Sequence, residues 1–446
     1  MKRIFLCIAL TAALVGNPCF AKAKKTSNAS RQELVPAPLR SESAAPVPAH
    51  PSPYNFPGVQ YPRIEEDSRV TFQFKAPTAQ KVQVSINNVS YDMTKGADGV
   101  WTYTSEPQAP GYHNYWMVVD GAVVLDPATN AFIGYGHMCN GFEVPEPGVS
   151  FYDLKDVPHG DIRIKNYFSK TANAWRHIFV YTPPGYDATT KTRYPVLYLQ
   201  HGGGEDERVW TEMGRTNLIL DNLLAEGKVK PMIVVMETSA VGPPPVRPSG
   251  GFGAGPRPAG GPGGAGAPGG GGPRGGGIPG MGAAGAAYGK LMINDLIPWV
   301  DSNFRTIPDK DHRAMAGLSM GGFMTASVTM TNLDKFSYIG LFSGGTAGGF
   351  RPSTVAANTA PPALDLKTIY SGAMADPAKF NKEVKVFFFS GGTVPPIENP
   401  EALKRHQEQL VAAGITNSYV YISPGTAHEW QTWRRSLYVF APLLFR

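Results

Sequence analysis

Apolar and polar positions along this chain change their period near residue 160. Between about 54 and 146 the runs alternate with a period of two. Arg69-Val70-Thr71-Phe72-Gln73-Phe74 and Lys81-Val82-Gln83-Val84-Ser85-Ile86 each set an apolar face against a polar one. Val100-Trp101-Thr102-Tyr103 and Tyr115-Trp116-Met117-Val118-Val119 are aromatic and β-branched, and Asp98-Gly99 and Asp120-Gly121 are turn dipeptides between such runs. Short strands at this spacing predict an all-β sandwich. Trp101 and Trp116 alternate as core residues do, so this module is expected to pack or to dock glycan and to supply no catalytic group.

From about 160 to 446 the apolar runs become continuous. They include Ile178-Phe179-Val180-Tyr181, Val196-Leu197-Tyr198-Leu199, Met232 to Met236, Ala314-Met315-Ala316, Tyr338 to Phe342, Val384 to Phe389 and Tyr419 to Ile422. Helical stretches alternate with most of them: Leu218 to Glu226, Tyr288 to Phe304, and Asn399 to Ala413, closed by Gly414. Fully apolar strands alternating with amphipathic helices predict an α/β domain whose mostly parallel sheet is covered on both faces.

The remaining segments lack such patterns. Residues 1–21 read as a secretory signal peptide, with Lys2 and Arg3 ahead of the apolar run Ile4 to Val15 and small residues at Ala21 and Ala23. The mature chain is therefore expected to be secreted or periplasmic. Residues 22–53, rich in Ala, Pro and Ser, read as a disordered linker, and 242–286, almost wholly Gly, Pro and Ala, as a disordered surface insertion. That insertion holds much of the chain's excess of glycine (51) and proline (41) over its 446 residues.

Charge and cysteine narrow the functional classes. The net charge of +6 is not gathered into a long basic run, so nucleic acid is not an expected partner. No later segment is long and apolar enough to span a membrane. Of three cysteines only Cys139 would survive cleavage, so no internal disulfide is expected. No metal-ligand cluster, phosphate loop or dinucleotide fingerprint stands out, and no cofactor or metal is expected.

The chemistry concentrates at four places. Gly317-Leu318-Ser319-Met320-Gly321 follows the strand Ala314 to Ala316 and opens a helical stretch, the context of a nucleophile elbow. Ser319 is the expected nucleophile, exposed at the end of the sheet and next to a helix N-terminus. Gln200-His201-Gly202-Gly203-Gly204 follows the strand Val196 to Leu199. Its glycines let backbone N–H groups approach a substrate oxygen, with Gly203 as the expected first oxyanion donor and Met320 N–H as the second. His201 is expected to shape that loop rather than to move a proton. The base should follow the nucleophile, and His428 lies in a loop after the last strand, whereas His312 precedes the elbow and His406 lies in a helix. The acid should come from the loop after Val384 to Phe389, where Glu398 and Glu401 both stand; Glu398 is favoured, against a role as a helix-start carboxylate.

Together these elements resemble the esterase D-like, carbohydrate esterase family 1 group, which includes feruloyl and acetylxylan esterases. The resemblance covers about 160–446 and rests on Tyr198 to Gly204 with Trp210 downstream, Asp221-Asn222-Leu223, Pro231 to Met236, Asp295-Leu296-Ile297-Pro298, Gly317 to Gly322, Phe342-Ser343-Gly344, and His428-Glu429-Trp430 with Trp433-Arg434. The β-module, 54–146, is similar to the glycogen-binding-like (E-set) sandwich found before many such esterases, through Asp126-Pro127 and Gly141 to Pro145.

The resemblance implies an α/β-hydrolase fold behind a small immunoglobulin-like β-sandwich, and a serine carboxylesterase cleaving feruloyl or acetyl esters of xylan through an acyl-enzyme on Ser319. It also places Trp210 beside the substrate. Siderophore (enterochelin) esterases share a similar two-domain plan and are the alternative. The family's usual Asp after Gly-Gly or Gly-Thr is missing from Gly391-Gly392-Thr393-Val394-Pro395-Pro396. That departure leaves the acid to Glu398 and motivates a third reading, a carbohydrate-binding protein with a decayed esterase site.

Overall fold

A computed structural model, describing residues 47–242, 257–258, 281–346 and 364–446, turns the change of period into a change of architecture. The expected signal peptide lies outside the described residues, as do most of the linker and most of the 242–286 insertion. Both segments end earlier than expected. The linker's His50–Pro51 already pairs antiparallel with Arg63–Ile64. The insertion's last six residues begin the helix Met281–Leu291, expected only from Tyr288. Ala283, Ala284, Ala286 and Ala287 are strong helix formers, and the glycines between them hid that preference.

The N-terminal module is two sheets. One runs in the order His50–Pro51, Arg63–Ile64, Val70–Lys75, Val100–Thr104, Thr94–Lys95. The other contains Ala131–Gly134, His137–Val144, Gly111–Val119, Val82–Ile86 and Val89–Asp92 in that order. Their inward residues, among them Val70, Phe72, Val84, Tyr115 and Phe142, form one buried cluster. Trp101 and Trp116 are both buried.

The C-terminal domain is an α/β-hydrolase fold. Its strands are β1 (Asp161–Ser169), β2 (Ala174–Thr182), β3 (Val196–Gln200), β4 (Ile233–Glu237), β5 (Arg313–Leu318), β6 (Tyr338–Phe342), β7 (Val386–Gly392) and β8 (Ser418–Ser423). They are ordered β1-β2-β4-β3-β5-β6-β7-β8, antiparallel at the β1–β2 and β2–β4 pairs and parallel elsewhere. β3 to β7 are buried along their whole length, as strands covered on both faces must be. Helices Thr216–Ala225 and Trp430–Phe440 bury Leu220, Leu223, Leu437 and Phe440 with one face. Met281–Leu291, Ile297–Asn303 and Met320–Met330 bury Tyr288, Leu291, Val300, Met324 and Val328 with the other.

Two elements escape the apolar pattern. β1 is an edge strand carrying Asp161, Arg163 and Lys165, with Ile164 exposed, so one of its faces is wet. Trp430–Phe440 buries two arginines, which a hydropathy pattern scores as surface.

Those arginines join the two domains. Arg434, fully buried, holds Glu143 of the strand His137–Val144 through Nη1–Oε1 and Nη2–Oε2 contacts of 2.6 and 3.0 Å. Its Nε donates to the Met213 carbonyl at 2.8 Å, and Tyr54 donates its hydroxyl to Glu143 at 3.0 Å. Arg435 and Gln431 both donate to Glu146. Burial pushes the Glu143 carboxyl up, but Arg434 and Arg215 outweigh it and hold it below its usual range.

Glu143→Gln should therefore leave the Arg434 charge buried without a counterion, a loss of about 3–5 kcal/mol in unfolding free energy. Denaturant unfolding checks this; a loss under about 1 kcal/mol would refute it. The sign with pH follows from the lowered carboxyl. Its stabilisation is fully present above its ordinary value of 4.5 and is lost as pH falls below it, and Glu143→Gln should remove that acid-side loss.

Candidate active site

The end of β5 turns sharply at Ser319, whose φ of 50° lies in the left-handed region rare for non-glycine residues. Ser319 N–H donates to the Phe342 carbonyl at 2.7 Å, tying the turn to β6. The turn fits only because Gly317 and Gly321, two residues to either side, lack side chains: a Cβ at Gly317 would strike the Gly321 carbonyl oxygen, and one at Gly321 the His201 carbonyl oxygen. Met320 then opens the helix Met320–Met330, and a first-turn N–H has no partner within its own helix.

Glu398 and His428 reach this turn from the ends of β7 and β8. Ser319 Oγ lies 2.9 Å from His428 Nε2, and His428 Nδ1 lies 2.9 Å from Glu398 Oε1. A carboxylate can only accept, so with Glu398 ionised Nδ1 carries the ring proton and Nε2 accepts from the Ser319 hydroxyl. Trp433 packs edge-on against the imidazole, ring centroids 5.2 Å apart. Glu398 is 4% exposed and its second oxygen accepts the Gly392 N–H at 3.0 Å. A Cβ at Gly391 would lie 2.5 Å from that same oxygen, so glycine there is what admits the carboxylate. The capping of the following helix falls to Asn399, whose side chain accepts from Ala402 N–H at 3.0 Å, while Glu398 turns to the imidazole. Glu401 stands one residue inside that helix and is exposed.

The glycine loop after β3 faces the elbow. Gly203 has Met320 as its side-chain neighbour, 3.9 Å from where a Cβ would stand. His201 is buried, its Nδ1 bonded to the Gly202 carbonyl at 2.8 Å and its Nε2 accepting from Ser239 N–H at 3.2 Å. Burial lowers its pKa, so it stays neutral and braces the loop. Sequence reasoning missed Glu205, which accepts the Gly202 N–H at 2.7 Å; an acid three residues along a glycine loop is the signal that could have found it. Burial pushes this carboxyl up to about 8.

Trp210 is corrected. It is 1% exposed, donates its indole N–H to the Gln200 carbonyl at 2.8 Å, and packs edge-on to Trp430 and Phe342. It is a core residue holding the end of β3, with no face for a substrate. Among the described residues no cluster of His, Cys, Asp and Glu could hold a metal, and no helix is long and apolar enough to cross a membrane.

Ser319, His428 and Glu398 thus form one hydrogen-bonded array at the elbow of this fold, and comparison with known proteins gives the family. The model of the family described as "Esterase: Putative esterase" matches residues 169–241 and 282–442. The chain belongs to that family. It is 36% identical over 404 residues to an endo-1,4-beta-xylanase/feruloyl esterase of Xylanibacter ruminicola, a match covering 89% of this chain and 47% of that protein. It is 25% identical over 291 residues to endo-1,4-beta-xylanase Y of Acetivibrio thermocellus, covering 61% of this chain and 22% of the relative. The chain thus spans about half or less of the length of these two curated relatives. Among solved structures, enterochelin esterase of Shigella flexneri superposes with a TM-score of 0.54 at 14% identity, over 84% of this chain and 91% of that one, a likeness of fold.

Proposed function

We propose that this protein is an exported serine carboxylesterase that removes feruloyl or acetyl groups from a xylan-like carbohydrate. The observation that carries the reading is the continuous hydrogen-bonded chain Ser319–His428–Glu398 at the elbow. Ser319 Oγ attacks the ester carbonyl carbon while His428 Nε2 takes its proton. Met320 and Gly203 N–H groups are proposed to hold the oxyanion that forms. Collapse expels the alcohol, which takes the proton from His428 and leaves an acyl-enzyme. Water then attacks by the same route, its proton passing through His428 back to Ser319. Glu398 holds the proton on Nδ1 and stabilises the imidazolium.

The carbohydrate substrate is supported by the 36% identity to a protein named endo-1,4-beta-xylanase/feruloyl esterase. The resemblance of the β-module to glycogen-binding-like sandwiches agrees with a polysaccharide substrate. An assembled Ser–His–Glu chain, in place of a broken one, speaks against a decayed binding protein.

Assay of the purified protein on methyl ferulate, p-nitrophenyl acetate and a siderophore trilactone tests the reading. Turnover of methyl ferulate or the acetate ester with the trilactone left intact is expected. Turnover of the trilactone with methyl ferulate untouched would overturn it in favour of the siderophore alternative.

A further inference from the structure

The β-sandwich reaches the glycine loop of the candidate active site through a single turn. Strands Ala131–Gly134 and His137–Val144 are joined by Tyr135-Gly136. Gly136 N–H donates to the Gly204 carbonyl at 2.9 Å. The approach is close: a Cβ at Gly204 would lie 2.7 Å from Gly136 N and 3.1 Å from the Tyr135 carbonyl carbon. Gly204 adjoins Gly203, which faces Met320 beside Ser319.

Tyr135 is unusual in two ways. Its φ is 54°, in the left-handed region that bulky residues avoid unless their surroundings impose it. It is also 46% exposed, although its ring is backed edge-on by the buried Trp116, centroids 5.6 Å apart. Burial raises the pKa of its hydroxyl, so the phenol end of the ring is covered, and Cys139, Glu205 and Glu429 push it the same way. A part-exposed aromatic ring, backed by Trp116 and carried on a turn bonded to the glycine loop, stands beside the entrance to the site. Rings on so few rotatable bonds bind partners at low entropic cost.

We infer that the Tyr135-Gly136 turn of the β-sandwich forms a wall of the ester site, and that Tyr135 is a specificity-determining residue stacking on a ring of the substrate beyond the scissile bond. The inference rests on the proposed esterase reading of the site and deepens it: the β-module then completes the site as well as packing against it. The ring could be the aromatic acyl group or the sugar on the alcohol side, and both would stack on a phenol face.

Binding separates these sources and needs no turnover. Ferulate and xylobiose are titrated calorimetrically into the full chain carrying Ser319→Ala, with Tyr135 intact, Tyr135→Phe or Tyr135→Ala. Tyr135→Ala is expected to weaken one ligand about tenfold, as loss of an aromatic pair does, and Tyr135→Phe to preserve it. A response by ferulate assigns the wall to the acyl side, and one by xylobiose to the alcohol side. In the active enzyme the same variant should raise KM for the matching ester about tenfold and change kcat by less than about threefold. Equal binding of both ligands to Tyr135→Ala and its parent, or no binding of either to the parent, would overturn the inference. Absence of ester turnover in the unmutated chain, with the Tyr135 effect on binding intact, would sink the esterase reading alone.

Discussion

Ser319→Ala is expected to lower kcat on the protein's best ester by about 10⁶-fold while leaving unfolding by denaturant unchanged within about 0.5 kcal/mol. The hydroxyl is half-buried at the elbow, so its removal opens no core cavity, and alanine leaves the φ of 50° no easier to adopt than serine does. His428→Ala should cost nearly as much. On the proposed mechanism the two groups act in one proton transfer, so the double variant should lose little beyond either single variant. Turnover by Ser319→Ala near the unmutated rate would refute the assignment of the nucleophile. Losses that multiply in the double variant would refute a shared step.

Glu398→Gln is the second large effect. The amide preserves shape, but it can donate a hydrogen bond to Nδ1 and so favours the tautomer whose Nε2 carries the proton and cannot accept from Ser319. A fall in kcat of about 10⁴ is expected, with KM little changed because Glu398 sits behind the imidazole at 4% exposure. Glu398→Asp keeps the charge but shortens the reach by one methylene from a 2.9 Å contact, so it should recover only part of the activity. Glu401→Gln, exposed on the first turn of the next helix, is the control and should be silent. Steady-state kinetics on one ester decides the matter. Full activity in Glu398→Gln would leave a Ser–His dyad as the working unit.

The placements that the sequence made legible and those it hid differ in kind. Ser319 was legible because its signal is local: a short apolar strand, small residues on both sides of one serine, and a helix. His428 was legible from chain order and its place after the last strand. Glu398 was favoured of two carboxylates in the right loop, but its neighbours could not say whether it would turn toward the imidazole or stay at the helix start. Trp210 was misread because an aromatic residue after a glycine loop looks the same whether it faces the site or the core. Tyr135 gave no signal, since Gly134-Tyr135-Gly136 is an ordinary turn in the sequence.

The period of the apolar pattern, the elbow motif and the order of serine, glutamate and histidine were determined by the sequence alone, because strand alternation, helix capping and tight-turn sterics act over a few residues. Tertiary structure decided the rest. Whether Glu398 binds a helix end or His428 depends on space that Gly391 leaves beside β7. Whether Arg434 is a surface charge or a buried link depends on Glu143, 291 residues away in the chain. Whether a sandwich turn touches the glycine loop depends on how two domains dock. Each of these is a contact between segments far apart in sequence, where the partner's position, and not the residue's own character, sets its burial, its charge state and its chemistry.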